Sequence, residues 1–145
     1  MPRLYFAYGS NLSKEQMRDR CPGARPVQAF VLNGYELTLR GVANIEEFEG
    51  SQVVGALYDL TQDDEAELDK YESFPTLYKK VEFETETDLG RQTVMFYQLV
   101  KPEYRRCRDG YIPTIRRGFA DWGLPIETLE AAIEASEERG DPLAL

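Results

Sequence analysis

Short apolar segments bounded by turn residues dominate the first two thirds of the chain and predict β-strands. Residues 4–8 form an aromatic-rich run that ends at a glycine, as is typical of a buried strand leaving its sheet at a turn. Residues 53–58 are apolar on both faces and indicate a central strand, in which Gly55 admits a close neighbour. Apolar or hydroxyl residues alternate with glutamates over 81–86, and residues 93–100 follow a turn, so both segments predict further strands.

Two more apolar segments, residues 27–32 and 35–39, flank the dipeptide Asn33-Gly34. Because this dipeptide accepts the positive φ angles of a tight turn, the sequence predicts a hairpin of two paired strands joined there. The acidic residues 43–50 show no regular period, and we expect them to form a loop or an irregular segment.

Two capping signatures mark the starts of helices. Gln16 stands three residues after Ser13, which predicts a capping box at the beginning of a short helix. Thr61 followed by Asp64 predicts a second N-cap, and the helix that it opens should end at residues 71–72, shortly before a proline.

The last third of the chain is predicted to be helical. Apolar residues recur at helical spacing over residues 112–122, where Gly123 is typical of a helix end, and Pro125 then begins a final helix. No repeat or flexible linker divides the chain. We therefore expect one α+β domain over residues 1–145, with a strand-rich middle and a frayed tail at 137–145.

Composition and charge narrow the classes of partner. A chain of 145 residues is long enough for one core, and its net charge of −9 opposes binding to the phosphate backbone of a nucleic acid. The apolar runs are too short to cross a bilayer, and no polybasic anchor is evident, so no membrane partner is expected. The first residues lack the pattern of a secretory signal and the chain has only two cysteines, which favours the cytoplasm and reduced thiols.

The chain contains no histidine. This absence excludes Ser-His and Cys-His nucleophile pairs, metal sites that use histidine and acid/base catalysis by histidine. No carboxylate spacing indicates a calcium loop, and no metal site or cofactor is predicted. If the protein is an enzyme, carboxylates or tyrosines must transfer its protons.

The turn Tyr8-Gly9-Ser10-Asn11-Leu12 is the first candidate for a binding element. A strand that ends in Gly-Ser-Asn and leads into a capped helix leaves backbone N–H groups unpaired, and such groups bind anions. Gly9 permits close approach to the backbone, while Ser10 and Asn11 add polar side chains that orient a carboxylate or an amide. The alternative is that Gly-Ser-Asn serves only as common turn chemistry.

Glu72 is the second candidate, as a proton-transferring carboxylate. It lies four residues after Leu68, so it can share the buried face of the predicted helix. Burial and the negative end of the helix dipole both disfavour ionisation and should raise the pKa of Glu72, which suits a general base that later returns its proton. The alternative is a solvated glutamate at a fraying helix end.

Two other groups of residues are open to a functional or a structural interpretation. The arginines near residue 110 form a basic cluster, which would either attract an anionic substrate or form salt bridges in this acidic protein. These residues are Arg105, Arg106, Arg108, Arg116 and Arg117. Cys107 has no histidine to activate it, which favours a structural thiol.

Taken together, these residues resemble the γ-glutamylcyclotransferase-like family, which includes γ-glutamylamine cyclotransferases and AIG2-like proteins. The resemblance spans residues 4–133 and rests on five matches. They are Tyr-Gly-Ser-Asn-Leu at 8–12, Val-Gly-Ala-Leu-Tyr-Asp-Leu at 54–60, Leu-Asp-Lys-Tyr-Glu at 68–72, Tyr78, and Tyr111 placed twelve positions before Gly-Leu-Pro at 123–125.

Two positions depart from the family pattern. Ser73 replaces the glycine that often follows the catalytic glutamate, which bears on how Glu72 is aimed. The residues Cys-Arg-Asp-Gly at 107–110 replace the Pro-Ser pair common before the pocket tyrosine, which bears on the placement of Tyr111.

The resemblance implies a mixed sheet of five to seven strands, or a small barrel, flanked by helices. It also implies intramolecular aminolysis, in which the α-amine of a γ-glutamyl group attacks its own γ-carbonyl and gives 5-oxoproline and a free amine. Glu72 is then the catalytic residue and Tyr8, Gly9, Ser10, Asn11, Leu12, Tyr78 and Tyr111 bind the substrate. The backbone of the turn holds either the α-carboxylate or the developing oxyanion, no cofactor is required, and a homodimer is possible by analogy.

Two rival interpretations stay open at this point. The same pocket would serve a non-catalytic module that binds small carboxylates, which the departures at Ser73 and 107–110 favour. Alternatively, the turn and Glu72 only stabilise a protein-interaction domain, whose arginine cluster meets an acidic partner.

Overall fold

The computed structural model describes residues 2–103, 105 and 107–138. In these residues the chain forms five β-strands and four α-helices. In chain order they are β1 (Leu4–Ala7), α1 (Lys14–Arg20), β2 (Arg25–Leu39), β3 (Ala43–Asp59), α2 (Gln62–Tyr71), β4 (Tyr78–Thr87), β5 (Gly90–Leu99), α3 (Tyr111–Trp122) and α4 (Glu127–Glu138). The prediction of a frayed tail concerns mostly residues 139–145, which lie outside the described residues, while α4 continues as helix to Glu138.

The strands form one mixed sheet in the order β2-β3-β1-β5-β4. Strand β1 is parallel to β5 and antiparallel to β3, and all four of its residues are buried. The two edge strands contact each other through the rings of Phe30 and Phe83, which lie 6.3 Å apart. The backbone N–H of Asp88, just after β4, also donates to Gln28 Oε1 at 2.7 Å. The predicted α+β class and five-stranded mixed sheet are confirmed, and the alternative of a small barrel is wrong because the sheet is not closed.

The predicted hairpin at Asn33-Gly34 is also wrong. Gly34 has a φ of 84°, but it lies inside the single strand β2, where the pairing with β3 shifts register. The reversal occurs instead at residues 40–42. A β-bulge uses the same positive φ as a tight turn, so the dipeptide alone did not distinguish the two.

Residues 43–50 are the first half of β3 and not the predicted loop. The Glu46 carboxylate accepts hydrogen bonds from Arg40 Nε, at 2.5 Å, and from Thr38 Oγ1, at 2.8 Å, both on the β2 side of the hairpin. Asn44 is buried, and its Oδ1 accepts the Leu99 N–H at 2.9 Å. The acidic segment is therefore held in the sheet by contacts between residues on different strands and the hairpin turn, which a search for sequence period does not detect.

The helix starts were predicted correctly from their caps. Ser13 Oγ accepts the Gln16 N–H at 3.3 Å, although the Gln16 side chain donates to the Ser10 carbonyl and so leaves that capping box half formed. Thr61 and Asp64 form a complete capping box at the start of α2, with hydrogen bonds of 3.1 and 3.2 Å. None of the helices in the described part of the chain is long and apolar enough to span a membrane.

Two glycines bring the elements around the site into close contact. A Cβ on Gly55 would lie 2.3 Å from the Ala7 carbonyl oxygen, which explains why a central strand carries a glycine beside β1. A Cβ on Gly118 in α3 would lie 2.4 Å from Leu12 Cβ. The turn that follows β1 is thus packed directly against α3, and this contact fixes its position.

Candidate active site

The turn after β1 is a single 3-10 turn over Ser10–Leu12. The Leu12 N–H donates to the Gly9 carbonyl at 3.0 Å, and the Ser13 N–H donates to the Ser10 carbonyl at 3.1 Å. The N–H groups of Ser10 and Asn11 have no hydrogen-bond partner among the described residues. Two neighbouring backbone donors are therefore available beside the pocket, as an anion-binding turn requires.

Glu72 follows the last residue of α2 and faces this turn. The Asn11 side-chain amide donates to Glu72 Oε1 at 3.3 Å and to the Tyr5 hydroxyl at 3.0 Å, while Arg20 Nη1 donates to the Asn11 side-chain oxygen, Oδ1. Burial raises the pKa of Glu72 to about 7, against the opposing effects of the Arg20 charge and the Asn11 hydrogen bond. A carboxyl group with this pKa accepts and returns protons near neutral pH.

Ala43 holds two of the pocket tyrosines through its backbone. The Tyr78 hydroxyl donates to the Ala43 carbonyl at 2.9 Å, and the Ala43 N–H donates to the Tyr111 hydroxyl oxygen at 2.7 Å. The Tyr78 hydroxyl proton is thus used in the hydrogen bond to Ala43, whereas the Tyr111 hydroxyl proton has no acceptor among the described residues. Burial raises the pKa of Tyr111 above its ordinary value, so this hydroxyl stays protonated and can donate to a bound group.

A second pair of tyrosines forms the floor of the pocket. Tyr8 donates from its hydroxyl to the Tyr97 carbonyl at 2.6 Å, and the Tyr97 hydroxyl donates to Asp69 Oδ1 at 2.6 Å. The Tyr97 ring also meets the Tyr5 ring edge to face, with centroids 5.8 Å apart. These contacts connect the strands β1 and β5 to α2.

One pocket of about 230 Å³ collects almost all the predicted site residues. Those that line it are Tyr8, Gly9, Ser10, Asn11, Glu72, Tyr78 and Tyr111. Leu12 is the exception: its side chain is fully buried in the core, and its carbonyl accepts the Trp122 indole N–H at 3.0 Å. Leu12 therefore anchors the turn from behind and does not line the pocket.

Several pocket residues had no signal in the sequence that singled them out. Tyr5 and Tyr97 belong to apolar strand segments, and Ala43 lies in the segment predicted to be a loop. Arg20 contacts the pocket only through Asn11 and the Tyr71 ring, whose centroid lies 3.3 Å from the guanidinium carbon. The contacts of these residues depend on strand pairing and helix packing and not on local sequence.

Neither cysteine is positioned as a nucleophile of this pocket. Cys21 and Cys107 are both buried, and neither lines the pocket. Burial raises the pKa of the Cys21 thiol to about 12. Within the described ranges, no group of three or more His, Cys, Asp or Glu residues is arranged to hold a metal ion.

Ser73, one of the two departures from the family pattern, adopts the backbone geometry of a glycine. Its φ is 52°, in the left-handed region. The Ser73 N–H donates to the Lys70 carbonyl at 3.1 Å and the Phe74 N–H to the Asp69 carbonyl at 2.8 Å, which is the Schellman pattern that ends a helix. Glu72 thus sits at an ordinary helix end in spite of the substitution.

Comparison with known proteins agrees with this geometry. The family model described as gamma-glutamyl cyclotransferase, AIG2-like, matches residues 5–116. The chain belongs to this family. Proteins named gamma-glutamylcyclotransferase from Bos taurus and Homo sapiens are 29% and 28% identical to it over 153 residues, covering 94% of this chain and 81% of theirs. A solved structure of a gamma-glutamyl cyclotransferase superposes with a TM-score of 0.72 at 25% identity, covering 91% of this chain and 86% of the other.

Membership of the cyclotransferase family explains how the two sequence signals fit together. The matched residues 5–116 include both the turn after β1 and Glu72 at the end of α2. These elements are about sixty residues apart in the chain, yet the Asn11 amide joins them directly. The family relation supports a function of the cyclotransferase family for this chain.

Proposed function

We propose that the protein cyclises γ-glutamyl amides and releases 5-oxoproline and a free amine or amino acid. The substrate α-amine forms a bond to its own γ-carbonyl carbon, and the bond from that carbon to the leaving nitrogen breaks. The observation that carries the proposal is a carboxyl group, Glu72, whose pKa is raised to about 7 and which faces two unpaired backbone N–H groups across one pocket.

Glu72 transfers the proton in both halves of this reaction. As a carboxylate it takes a proton from the attacking amine, and as a carboxylic acid it delivers that proton to the leaving nitrogen. The Asn11 amide holds Oε1 at 3.3 Å, which leaves Oε2 free for the proton. No histidine, cysteine nucleophile or metal takes part, since the nucleophile belongs to the substrate.

The turn and Tyr111 stabilise the negative charge of the reacting group. Ser10, Asn11 and Tyr111 line the same pocket, and a Cβ on Gly9 would lie 3.7 Å from the Tyr111 hydroxyl, so the N–H groups of the turn and the Tyr111 O–H lie close together. Donors of this kind stabilise either the α-carboxylate or the oxyanion that develops on the γ-carbonyl oxygen. Gly9 must stay small, because a Cβ there would lie 2.8 Å from Ala43 Cβ, the residue that holds Tyr78 and Tyr111.

A non-catalytic module that binds small carboxylates is the second candidate. It was favoured by Ser73, because a displaced helix end would aim Glu72 away from the substrate, and by residues 107–110, because they would displace Tyr111. Tyr111 nevertheless lines the pocket. The Schellman geometry at Ser73 removes that argument, since the helix end matches what a glycine would give. Turnover is therefore the function that the site supports best.

The test is an assay of 5-oxoproline release by the purified protein from γ-glutamyl amino acids, γ-glutamylamines and γ-glutamyl-ε-lysine. Glu72→Gln keeps the size of the side chain and an acceptor for Asn11, but its amide cannot accept the proton. We expect turnover to fall on the order of 10³-fold.

Glu67→Gln is the matched control, since the Glu67 carboxylate is exposed on the same helix and pairs only with Lys70. It should turn over at the wild-type rate. Full activity of Glu72→Gln would disprove the role of Glu72, and binding of the substrates without product in the wild-type protein would favour the non-catalytic module.

A further inference from the structure

The basic cluster near residue 110 separates into paired arginines and one pocket arginine. The Arg116 side chain is bonded to Glu130, Arg117 to Thr114 at 3.0 Å, and Arg105 to Glu103 at 3.4 Å. Arg106 lies outside the described residues. Among the described members of the cluster, only Arg108 lines the pocket.

The Arg108 side chain is exposed and lies at the pocket mouth on the ring of Tyr111. Its guanidinium carbon is 5.0 Å from the ring centroid, and no carboxylate pairs with it among the described residues. A guanidinium held against an aromatic face keeps its N–H edge free to bind a carboxylate in bidentate fashion. In a protein with a net charge of −9, an exposed arginine that has no carboxylate partner among the described residues is available to bind an anionic ligand at the pocket.

Arg108 is not the partner of the pocket carboxylate. The groups that lower the pKa of Glu72 are Arg20 and Asn11. Arg20 itself donates a hydrogen bond to the Asn11 side-chain oxygen and packs on the face of the Tyr71 ring. Among the described residues Arg108 thus has no carboxylate partner, and its charge is available to a bound anion.

The position of Tyr111 indicates which half of the substrate that group belongs to. Tyr111 is buried and its hydroxyl is bonded to the Ala43 N–H, while Arg108 is exposed and lies over the Tyr111 ring. Cyclisation requires the γ-carbonyl and the α-amine of the glutamyl half to be near Glu72. The amine half must then extend toward the mouth, where Arg108 stands.

We propose that Arg108 binds a carboxylate on the amine half of the substrate and so selects γ-glutamyl amino acids over γ-glutamylamines that lack this group. The inference rests on the proposed function and adds a specificity-determining residue to it. It also gives a role to residues 107–110, which depart from the family pattern, because they place an arginine in the pocket lining three residues before Tyr111.

The experiment compares two substrates that differ only in this carboxylate, γ-glutamyl-alanine and γ-glutamyl-ethylamide. For Arg108→Gln we expect kcat/KM for γ-glutamyl-alanine to fall about 10- to 100-fold, mostly through KM, as for the loss of a charge-assisted hydrogen bond. For γ-glutamyl-ethylamide the change should be less than about twofold. Arg117→Gln removes the same charge from α3 outside the pocket and should leave both substrates unchanged.

Each other outcome has a definite meaning. An equal fall for both substrates would overturn the inference, because Arg108 would then act on the glutamyl half or only support Tyr111. No change for either would also overturn it. If the wild-type protein releases no 5-oxoproline from either compound, the proposed function fails. The binding affinities of the two compounds, measured by calorimetry, then test Arg108 separately. Its role is supported only if γ-glutamyl-alanine binds more tightly than γ-glutamyl-ethylamide and Arg108→Gln removes that difference.

Discussion

Two glutamates on one helix, Glu65 and Glu72, lie two turns apart and occupy opposite electrostatic environments. Glu65 accepts hydrogen bonds from Arg3 Nε at 2.8 Å, Arg3 Nη2 at 2.9 Å and Lys80 Nζ at 2.7 Å. The bonds from Arg3, and those from Lys80, lower the pKa of Glu65 to about 2. Glu72 accepts a hydrogen bond from the Asn11 amide, and burial raises its pKa to about 7 against the opposing effects of that bond and the Arg20 charge.

The helix itself contributes to this difference but does not account for it. Glu65 lies in the first turn of α2, where the dipole favours a negative charge, and Glu72 lies just after the last turn, where the dipole disfavours it. That effect is about 0.3–1 kcal/mol at each end. The larger part comes from the strands: one end of α2 meets Arg3 and Lys80, and the other meets the tyrosine pocket.

The paired end of the helix also positions the unpaired end. Lys80 Nζ bridges Glu65, at 2.7 Å, and Asp69, at 2.8 Å, and Asp69 in turn accepts the Tyr97 hydroxyl from the pocket floor. The ion pairs thus fix α2 against the sheet one turn before the catalytic candidate. Because Glu65 and Asp69 hold α2 against the sheet through Lys80, Glu72 can be kept in a poorly solvated position at the end of the helix.

The most severe test of this comparison is Glu65→Gln. The pKa of Glu65 is lower in the folded protein than in the unfolded chain. Its contribution to the free energy of unfolding is therefore fully present above the pKa of the unfolded chain, and it is lost as the pH falls through the pKa of the folded protein. We expect the substitution to lower the free energy of unfolding by about 3 kcal/mol at pH 7, measured by urea denaturation. At pH 3 the difference should shrink to less than half of that value.

Glu67→Gln is again the matched control, since the exposed Glu67–Lys70 pair, at 3.3 Å, should contribute little. A loss for Glu65→Gln no larger than that of the control would mean that the Arg3 and Lys80 contacts do not stabilise the fold. The claim that Glu65 lies in a strongly stabilising environment would then be wrong.

The reverse sign is expected for the stability of Glu72→Gln. The folded pKa of Glu72 lies above its unfolded value, so its contribution to stability is lost as pH rises through about 7. Replacing it by a neutral side chain should stabilise the protein by about 2 kcal/mol at pH 8, after allowing for the buried amide, and have little effect at pH 5. Chemical denaturation at the two pH values measures this.

A pH-independent change in unfolding free energy would contradict the raised pKa at Glu72. Destabilisation at pH 8 would show that the ionised carboxylate makes a favourable contact in the folded protein. The same substitution at Glu65 and Glu72 should therefore shift stability in opposite directions, although both residues are glutamates on one helix.

Much of the fold follows from local sequence, because caps and strand periods are local signals. Ser13 and Thr61 marked the starts of α1 and α2 correctly, since an N-cap hydroxyl bonds to N–H groups only three residues away. The Asn33-Gly34 dipeptide failed because a bulge and a hairpin need the same positive φ. Which one forms is decided by pairing with β3, a contact between distant residues.

The site was predictable to the extent that its residues carry a motif. The turn at 8–12 and Glu72 were identified as candidates in this way, and Asn11 of the turn is hydrogen-bonded to Glu72 in the structure. Ala43 was missed because its role lies in its backbone, which any residue would supply. The pairing of Arg3 with Glu65 was missed as well, since sixty-two positions separate the two and nothing local relates them.

The smallest expected effect concerns Ser73, the residue that follows Glu72. Its φ of 52° places a Cβ in the left-handed region, which costs about 1–2 kcal/mol for a residue other than glycine. Glycine removes that strain but gains about 0.5–1 kcal/mol of chain entropy in the unfolded state. We expect Ser73→Gly to raise the free energy of unfolding by about 0.5–1 kcal/mol.

Ser73→Ala separates strain from the loss of the hydroxyl group, because alanine keeps the Cβ and should give no gain. Since the Schellman hydrogen bonds from Ser73 and Phe74 persist in both variants, the carboxylate of Glu72 should keep its position and the pH dependence of 5-oxoproline release should not move. A shift in that profile for Ser73→Gly would instead mean that the serine tunes Glu72. The environment of the unpaired end of α2 would then depend on the helix end itself as well as on the strands around it.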